Sequence, residues 1–300
     1  LNPLEVEFLG VRFPNPIVTA SGTFNYGREY AHLYPLSRLG AITTKGTSPR
    51  PIAGAPPPRI TETPGGMLNA IGLENKGVEA YLQDELPWLK ALGARVIVNV
   101  FGERPRDFAY VAAKVSPYAD LIELNLSCPN VHGGGLPYAH DPKAAAEVVR
   151  AVKGATDRPV VAKLSPEGPT LEVAEALEGA GVDGFSLINT LRGMRIDLET
   201  KRPVLGHRTG GLSGPAIRPL AVRLIYELYQ STDRPIIGMG GVRTVEDALE
   251  LALAGARLVA VGTATFADPY APVKLIEGLE RFFADREDTW LDWVGGAHAG

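Results

Sequence analysis

The chain has one cysteine in 300 residues, Cys128. That excludes an intramolecular disulfide, and it leaves too few thiolates for a zinc site or an iron–sulfur cluster held by this chain alone. A reducing, cytoplasmic setting is the natural expectation. Charge of one sign is also scarce: the formal net charge is −4, so there is no broad cationic face to neutralise phosphates, and nucleic acid is not an expected partner. Long hydrophobic runs are missing as well. No segment approaches the roughly 18 apolar residues of a membrane span, and the opening LNPLEVEFLGVRFPNP lacks the basic-then-apolar order of a secretion signal, so a soluble protein with no membrane association is expected. The five histidines, at 32, 132, 140, 207 and 298, have no metal-ligand spacing, and no metal is expected. A strand-GxGxxG-helix dinucleotide signature is also lacking.

What is present is an alternation. Short β-rich apolar runs recur eight times: PIVTA (16–20), AITTK (41–45), RVIVNV (95–100), LIELNL (121–126), PVVAKL (159–164), GFSLIN (184–189), PIIGM (235–239) and RLVAV (257–261). Between them lie segments of helical period, among them 143–155, 170–181, 216–230 and 244–256, with boundary signals such as Asp141-Pro142 and a Thr244/Asp247 capping-box spacing. Eight such units in one domain over 1–300 predict an α/β fold of the (β/α)8 TIM-barrel class, which typically needs about 250 residues. The opening LEVEFLGVRF reads as a β-hairpin around Gly10 that closes the bottom of the barrel. Two connections are far longer than usual. One, after strand 2, runs from Gly46 to Ala94 and is rich in Pro and Gly before a single helix over 78–92. The other, after strand 6, runs from Thr190 to Gly214 and reads as a β arm turning back at Glu199 to Lys201.

In such barrels the chemistry sits at the C-terminal strand ends. Here those ends are polar or glycine throughout: ASG (20–22), TKG (44–46), NVFG (99–102), NLSCPN (125–130), KLS (163–165), INT (188–190), GMGG (238–241) and GTA (262–264). Any one of them reads equally well as the start of a loop. Gly240, Gly241, Gly262 and Thr263 follow the last two strands, where many barrels hold a phosphate on backbone N–H groups. Lys45 and Lys163 add positive charge at the mouth, which suits the N1 side of a reduced flavin, and FMN fits both features. A lone cysteine is most often a small buried hydrophobe. Cys128, however, follows a strand at the catalytic end and opens the glycine-rich PNVHGGGLPY, a candidate lid, so a thiol acting as base is the sharper reading.

LNLSCPN (124–130), TASGTF (19–24), TTKGT (43–47), MLNAIGLEN (67–75), SLINT (186–190), GGLSGP (210–215), IIGMGG (236–241) and VGTA (261–264) together resemble dihydroorotate dehydrogenase, in order over roughly residues 1–270. The resemblance implies FMN-dependent oxidation of dihydroorotate to orotate in pyrimidine biosynthesis. Cys128 would be the base that takes the C5 proton. Asn69, Asn125, Asn130 and Asn189 would hold the substrate, with Lys45, Ala70, Ile71, Gly72, Leu73 and Thr190 completing its pocket. For FMN the matching residues at strands one to five are Ser21, Lys45, Gly46, Asn99, Asn125 and Lys163; at strands six to eight they are Ile188, Gly214, Gly240, Gly241, Gly262 and Thr263. Cysteine as base is similar to class 1 enzymes, the membrane-associated class having serine and an N-terminal extension. The stretch 189–215 looks like type 1B, in which a partner subunit carrying FAD and a 2Fe–2S cluster passes electrons to NAD, in a homodimer or heterotetramer. Arg192 and Arg195 stand where that pattern has apolar or small residues. Other readings of the same residues are a type 1A-like enzyme using fumarate, another FMN barrel such as a dihydropyrimidine dehydrogenase or a hydroxy-acid oxidase, and a non-redox phosphate-binding barrel isomerase or synthase.

Overall fold

The computed structural model describes residues 2–126 and 138–299. Eight parallel strands follow one another around a barrel: Ile17–Thr19, Ile42–Thr43, Val96–Val100, Leu121–Asn125, Val160–Lys163, Gly184–Leu187, Ile236–Met239 and Ala256–Val261. The ring closes between the first and second strands through a single parallel bridge, Val18 to Ala41, with the Thr19 N–H donating to the Ala41 carbonyl at 3.2 Å. Each strand lies inside the apolar run read from sequence, shortened at its ends where the chain leaves the ladder to turn, except that the eighth begins one residue earlier, at Ala256.

The helices form because their apolar residues fall on one face. Pro142–Lys153 buries Ala145, Val148, Val149 and Val152, a one-sided 3.6-residue stripe laid against the barrel. Its N-terminus is closed by Asp141, whose carboxylate accepts from the N–H groups of Lys143 and Ala144 at 3.0 Å. Thr244 and Asp247 form the reciprocal capping box at the start of Val245–Ala254. The helix after the second strand spans Gly77–Ala91 and contains a π turn over Tyr81–Glu85, just before Pro87, which has no N–H to continue the α ladder. Between the first and second strands there is only a 3₁₀ turn, Leu36–Arg38.

The bottom of the barrel is plugged by the hairpin Val6–Phe8 with Val11–Phe13. Its two-residue turn, Leu9-Gly10, has positive φ at both positions, as a type I′ hairpin requires. Val6, Phe8 and Phe13 are wholly buried. The C-terminal segment packs back onto the barrel: Trp290 is wholly buried, and its indole N–H donates to the Arg257 carbonyl at 2.9 Å.

The two long connections meet over the top. Ile60–Thr63 pairs with Gly66–Asn69, which pairs with Thr209–Ser213, which pairs with Leu191–Met194, all antiparallel, making one four-stranded roof from both excursions. Beyond it, Ile196–Asp197 and Arg202–Pro203 form the arm that turns back at 198–201. Arg195 ties the two excursions together, donating to Thr61 Oγ1 at 2.9 Å and to the Glu62 carbonyl at 3.2 Å.

Candidate active site

A cavity of about 230 Å³ opens at the C-terminal strand ends, beneath the roof. All eight strand ends contribute to it: Ser21, then Lys45 and Gly46, Asn99, Asn125, Lys163, Ile188 to Thr190, Gly240 and Gly241, and finally Gly262 and Thr263. The roof adds Asn69 and Ile71 to Leu73 from one excursion and Gly214 from the other. The structure therefore brings together every described residue picked out as a site residue except Ala70. Its side chain is buried with Leu68 and Leu205 on the face of the roof away from the cavity, and its N–H donates to the Arg59 carbonyl at 2.7 Å. Cys128, Asn130 and the candidate lid as far as residue 137 lie outside the described residues; the last lid residue, Tyr138, is described, its hydroxyl donating to the Glu103 carbonyl at 2.8 Å.

Polar side chains fill the inner layer of the barrel just below this cavity. Lys163 is 5% exposed, and its ammonium donates to Ser21 Oγ at 3.1 Å. Among the described residues it has no carboxylate within ion-pair distance, an arrangement that is costly unless an anion or a strong acceptor arrives. Lys45 is partly exposed and lies 3.9 Å from Glu74, which is itself bound to Arg59 at 2.7 Å. Burial pulls the Lys45 amine below its ordinary 10.5, and Glu74 partly offsets this. Asn99 Oδ1 and Asn125 Oδ1 are buried acceptors with no hydrogen-bond donor among the described residues. Buried acceptors are nearly always paired, so two at one cavity mark groups completed by a ligand with donors of its own.

The loop after the seventh strand is shaped by glycine. Gly240 and Gly241 have φ of 130° and 75°, and a Cβ on Gly241 would lie 2.7 Å from the Gly214 carbonyl oxygen. No side chain fits there, so the backbone itself faces the cavity. Thr263 beside it donates to Ser213 Oγ at 2.6 Å. Arg243 lines the same corner, and its guanidinium makes no ion pair among the described residues, which leaves a cation next to the glycine loops. This is a fit for a phosphate.

Sequence reasoning missed several lining residues: Thr23, Glu74, Ser213, Met239, Arg243 and Phe266. Arg243, one residue past the GMGGV run, carried a signal, as a cation at a glycine-rich anion loop. Glu123, buried under the cavity, was hidden in an apolar run. Among the described residues no group of three His, Cys, Asp or Glu is placed to hold a metal, and no helix is long and apolar enough to cross a membrane.

Fold and mouth together define an α/β-barrel enzyme whose cavity is amide-lined, cationic and open to backbone N–H groups. The chain belongs to the dihydroorotate dehydrogenase family, a family of oxidoreductases, whose profile matches residues 3–283. It is 50% identical over 282 residues to the protein named dihydroorotate dehydrogenase B (NAD(+)), catalytic subunit, of Bacillus cereus (strain AH187), covering 93% of this chain and 91% of that one. Proteins of the same name from Bacillus anthracis (strain A0248) and Bacillus thuringiensis subsp. konkukian (strain 97-27) show the same identity and coverage.

Proposed function

We propose that this chain is the catalytic subunit of a type 1B enzyme that oxidises dihydroorotate to orotate with FMN. The single observation that carries the cofactor reading is Lys163: a buried cation with no carboxylate within reach among the described residues, beside two unpaired buried amide oxygens. A flavin suits the cation and one of the two acceptors, because its reduced ring gathers negative charge and its oxidised ring offers one ring N–H; the N–H groups of a cyclic ureide substrate suit the other. The glycine loops and Arg243 suit its phosphate.

When bound, FMN supplies the acceptor for the hydride that leaves C6 of the substrate. The chain's own residues do the rest. Asn69 and Asn189 present amides, each with donor and acceptor, to a cyclic ureide that has both. Asn69 is steadied by donating to the Gly211 carbonyl at 3.4 Å, and Asn189 Oδ1 accepts from the Thr190 N–H at 2.8 Å. Lys45 brings positive charge toward the substrate carboxylate. Cys128, as thiolate, takes the proton from C5, and Asn130 holds the ring beside it. Electrons leave through a partner subunit carrying FAD and a 2Fe–2S cluster, and so reach NAD; the names of the relatives, catalytic subunits of NAD(+)-linked enzymes, support a second subunit. One cysteine is too few for a cluster in this chain.

The test is direct. The purified chain is expected to be yellow, to bleach on anaerobic addition of dihydroorotate, and to reduce NAD slowly until an iron–sulfur flavoprotein partner is added. A colourless preparation that takes up no FMN defeats the reading; rapid NAD reduction by the chain alone defeats the partner.

A further inference from the structure

Beneath the cavity lies a carboxylate to which the proposed chemistry gives no task. Glu123 sits in the fourth strand, 1% exposed, facing into the barrel. Both oxygens are engaged: Oε1 accepts from Asn99 Nδ2 and Oε2 from Ser186 Oγ, each at 2.7 Å. A carboxylate accepts hydrogen bonds and donates none, so the Asn99 amide must turn its NH2 toward Glu123 and its carbonyl the other way. The two orientations of an amide are nearly the same shape, so packing alone does not choose between them. Glu123 chooses.

The consequence is visible on the cavity side. Asn99 Oδ1 is buried without a donor among the described residues. A Cβ built on Gly46 would lie 2.9 Å from it, which places this oxygen beside a residue just past the second strand that has no side chain of its own. Asn99 and Gly46 both line the cavity. What the floor holds at this point, buried next to Gly46, is an acceptor without a donor among the described residues.

We propose that Glu123 is a positioning residue: by holding the Asn99 amide with its carbonyl toward the cavity, it makes the site select a ring that presents an N–H there. This rests on the FMN reading, since oxidised isoalloxazine has a single ring N–H, at N3. With the amide reversed, an NH2 would meet that N–H, donor against donor, and the site would favour a ring without it.

The experiment titrates the full chain, stripped of flavin, with FMN and with 3-methyl-FMN, following the visible spectrum of the bound flavin. Wild type is expected to bind FMN about tenfold or more tighter, the scale of one buried hydrogen bond kept or lost. In Glu123→Met the preference shrinks to within about twofold, through weaker FMN binding with 3-methyl-FMN unchanged, because methionine gives the Asn99 NH2 no carboxylate to hold it and the carbonyl is no longer fixed toward the cavity. Glu123→Gln restores it: its Oε1 takes the Asn99 NH2 while its own NH2 donates to Ser186 Oγ. A merely structural role would lower both affinities alike. A preference unchanged in Glu123→Met, or lost in Glu123→Gln, overturns the proposal. Should Glu123→Met fail to fold, the Gln variant and the wild-type ratio decide. Equal binding of the two flavins by wild type removes this inference alone, whereas binding of neither removes the FMN reading and the inference with it.

Discussion

At the N-terminal end of the barrel, Val6, Phe8 and Phe13 are wholly buried and the hairpin that carries them is tied down by Arg257 donating to the Glu7 carbonyl at 2.8 Å. At the C-terminal end, under the roof, a lysine is buried with no carboxylate in reach among the described residues, which also offer no donor to two amide oxygens. The lower end spends its residues on packing; the upper end leaves groups unmet that a ligand can meet. An apolar plug has no use for a bound molecule, while an unsatisfied mouth is less stable empty than filled. The same eight strands thus run from a region that stabilises the fold to one that trades stability for recognition.

Substitutions at the two ends should break this contrast in different ways. The largest effect is expected for Cys128→Ala, which keeps bound FMN but lowers dihydroorotate oxidation by about 10²- to 10⁴-fold, the usual worth of a general base; wild-type turnover at neutral pH without added thiol would sink that role. At the bottom, Phe8→Ala should cost about 3–5 kcal/mol of stability, as large-to-small changes in a packed core do, yet leave the FMN dissociation constant of the folded protein unchanged. A chemical denaturation curve and a flavin titration on the same sample check both halves. Lys163→Met should do the reverse: flavin binding weakens by about tenfold or more, since hydrogen bonds to charged groups are the stronger ones, while the flavin-free protein melts no lower than wild type. A lower melting temperature without flavin would show that Lys163 serves the fold.

The smallest effect is a matter of pH. Burial depresses the Lys45 amine below its unfolded value of 10.5, so between the two values the unfolded chain holds more protons. Stability therefore rises with pH in that window, from a penalty fully present below the depressed value to none above the unfolded one. Lys45→Met should flatten that part of the melting-temperature profile; an unaltered slope would assign it to another group.

The contrast also explains what could be read from the amino-acid order. The barrel strands were legible because β-branched, apolar runs such as RVIVNV have no other use, and strand ends such as TKG and GMGG announced polar loops. The roof was not. Three of its four strands, GMLN, TGGLS and LRGM, are poor in β-branched residues, and the two excursions are joined by pairing between segments more than a hundred residues apart, as Asn69 pairs with Gly211. Of Arg192 and Arg195, out of pattern for the arm, Arg195 uses its side chain to bridge to Thr61 and Glu62, whereas at Arg192 it is the backbone N–H that donates, to Glu167 Oε1 at 3.3 Å. Glu123 was concealed because an alternating inward position in LIELNL shows its environment only once the neighbouring strands stand beside it.

Because Asn69 is stationed by a strand from the opposite excursion, the roof behaves as a shared beam with one support in each half of the chain. Cutting the exposed tip around Leu198 would release one support while the eight barrel strands keep their ladder. Limited proteolysis at that tip is therefore expected to produce a nicked species that still melts cooperatively and holds its flavin, yet has lost its grip on the pyrimidine.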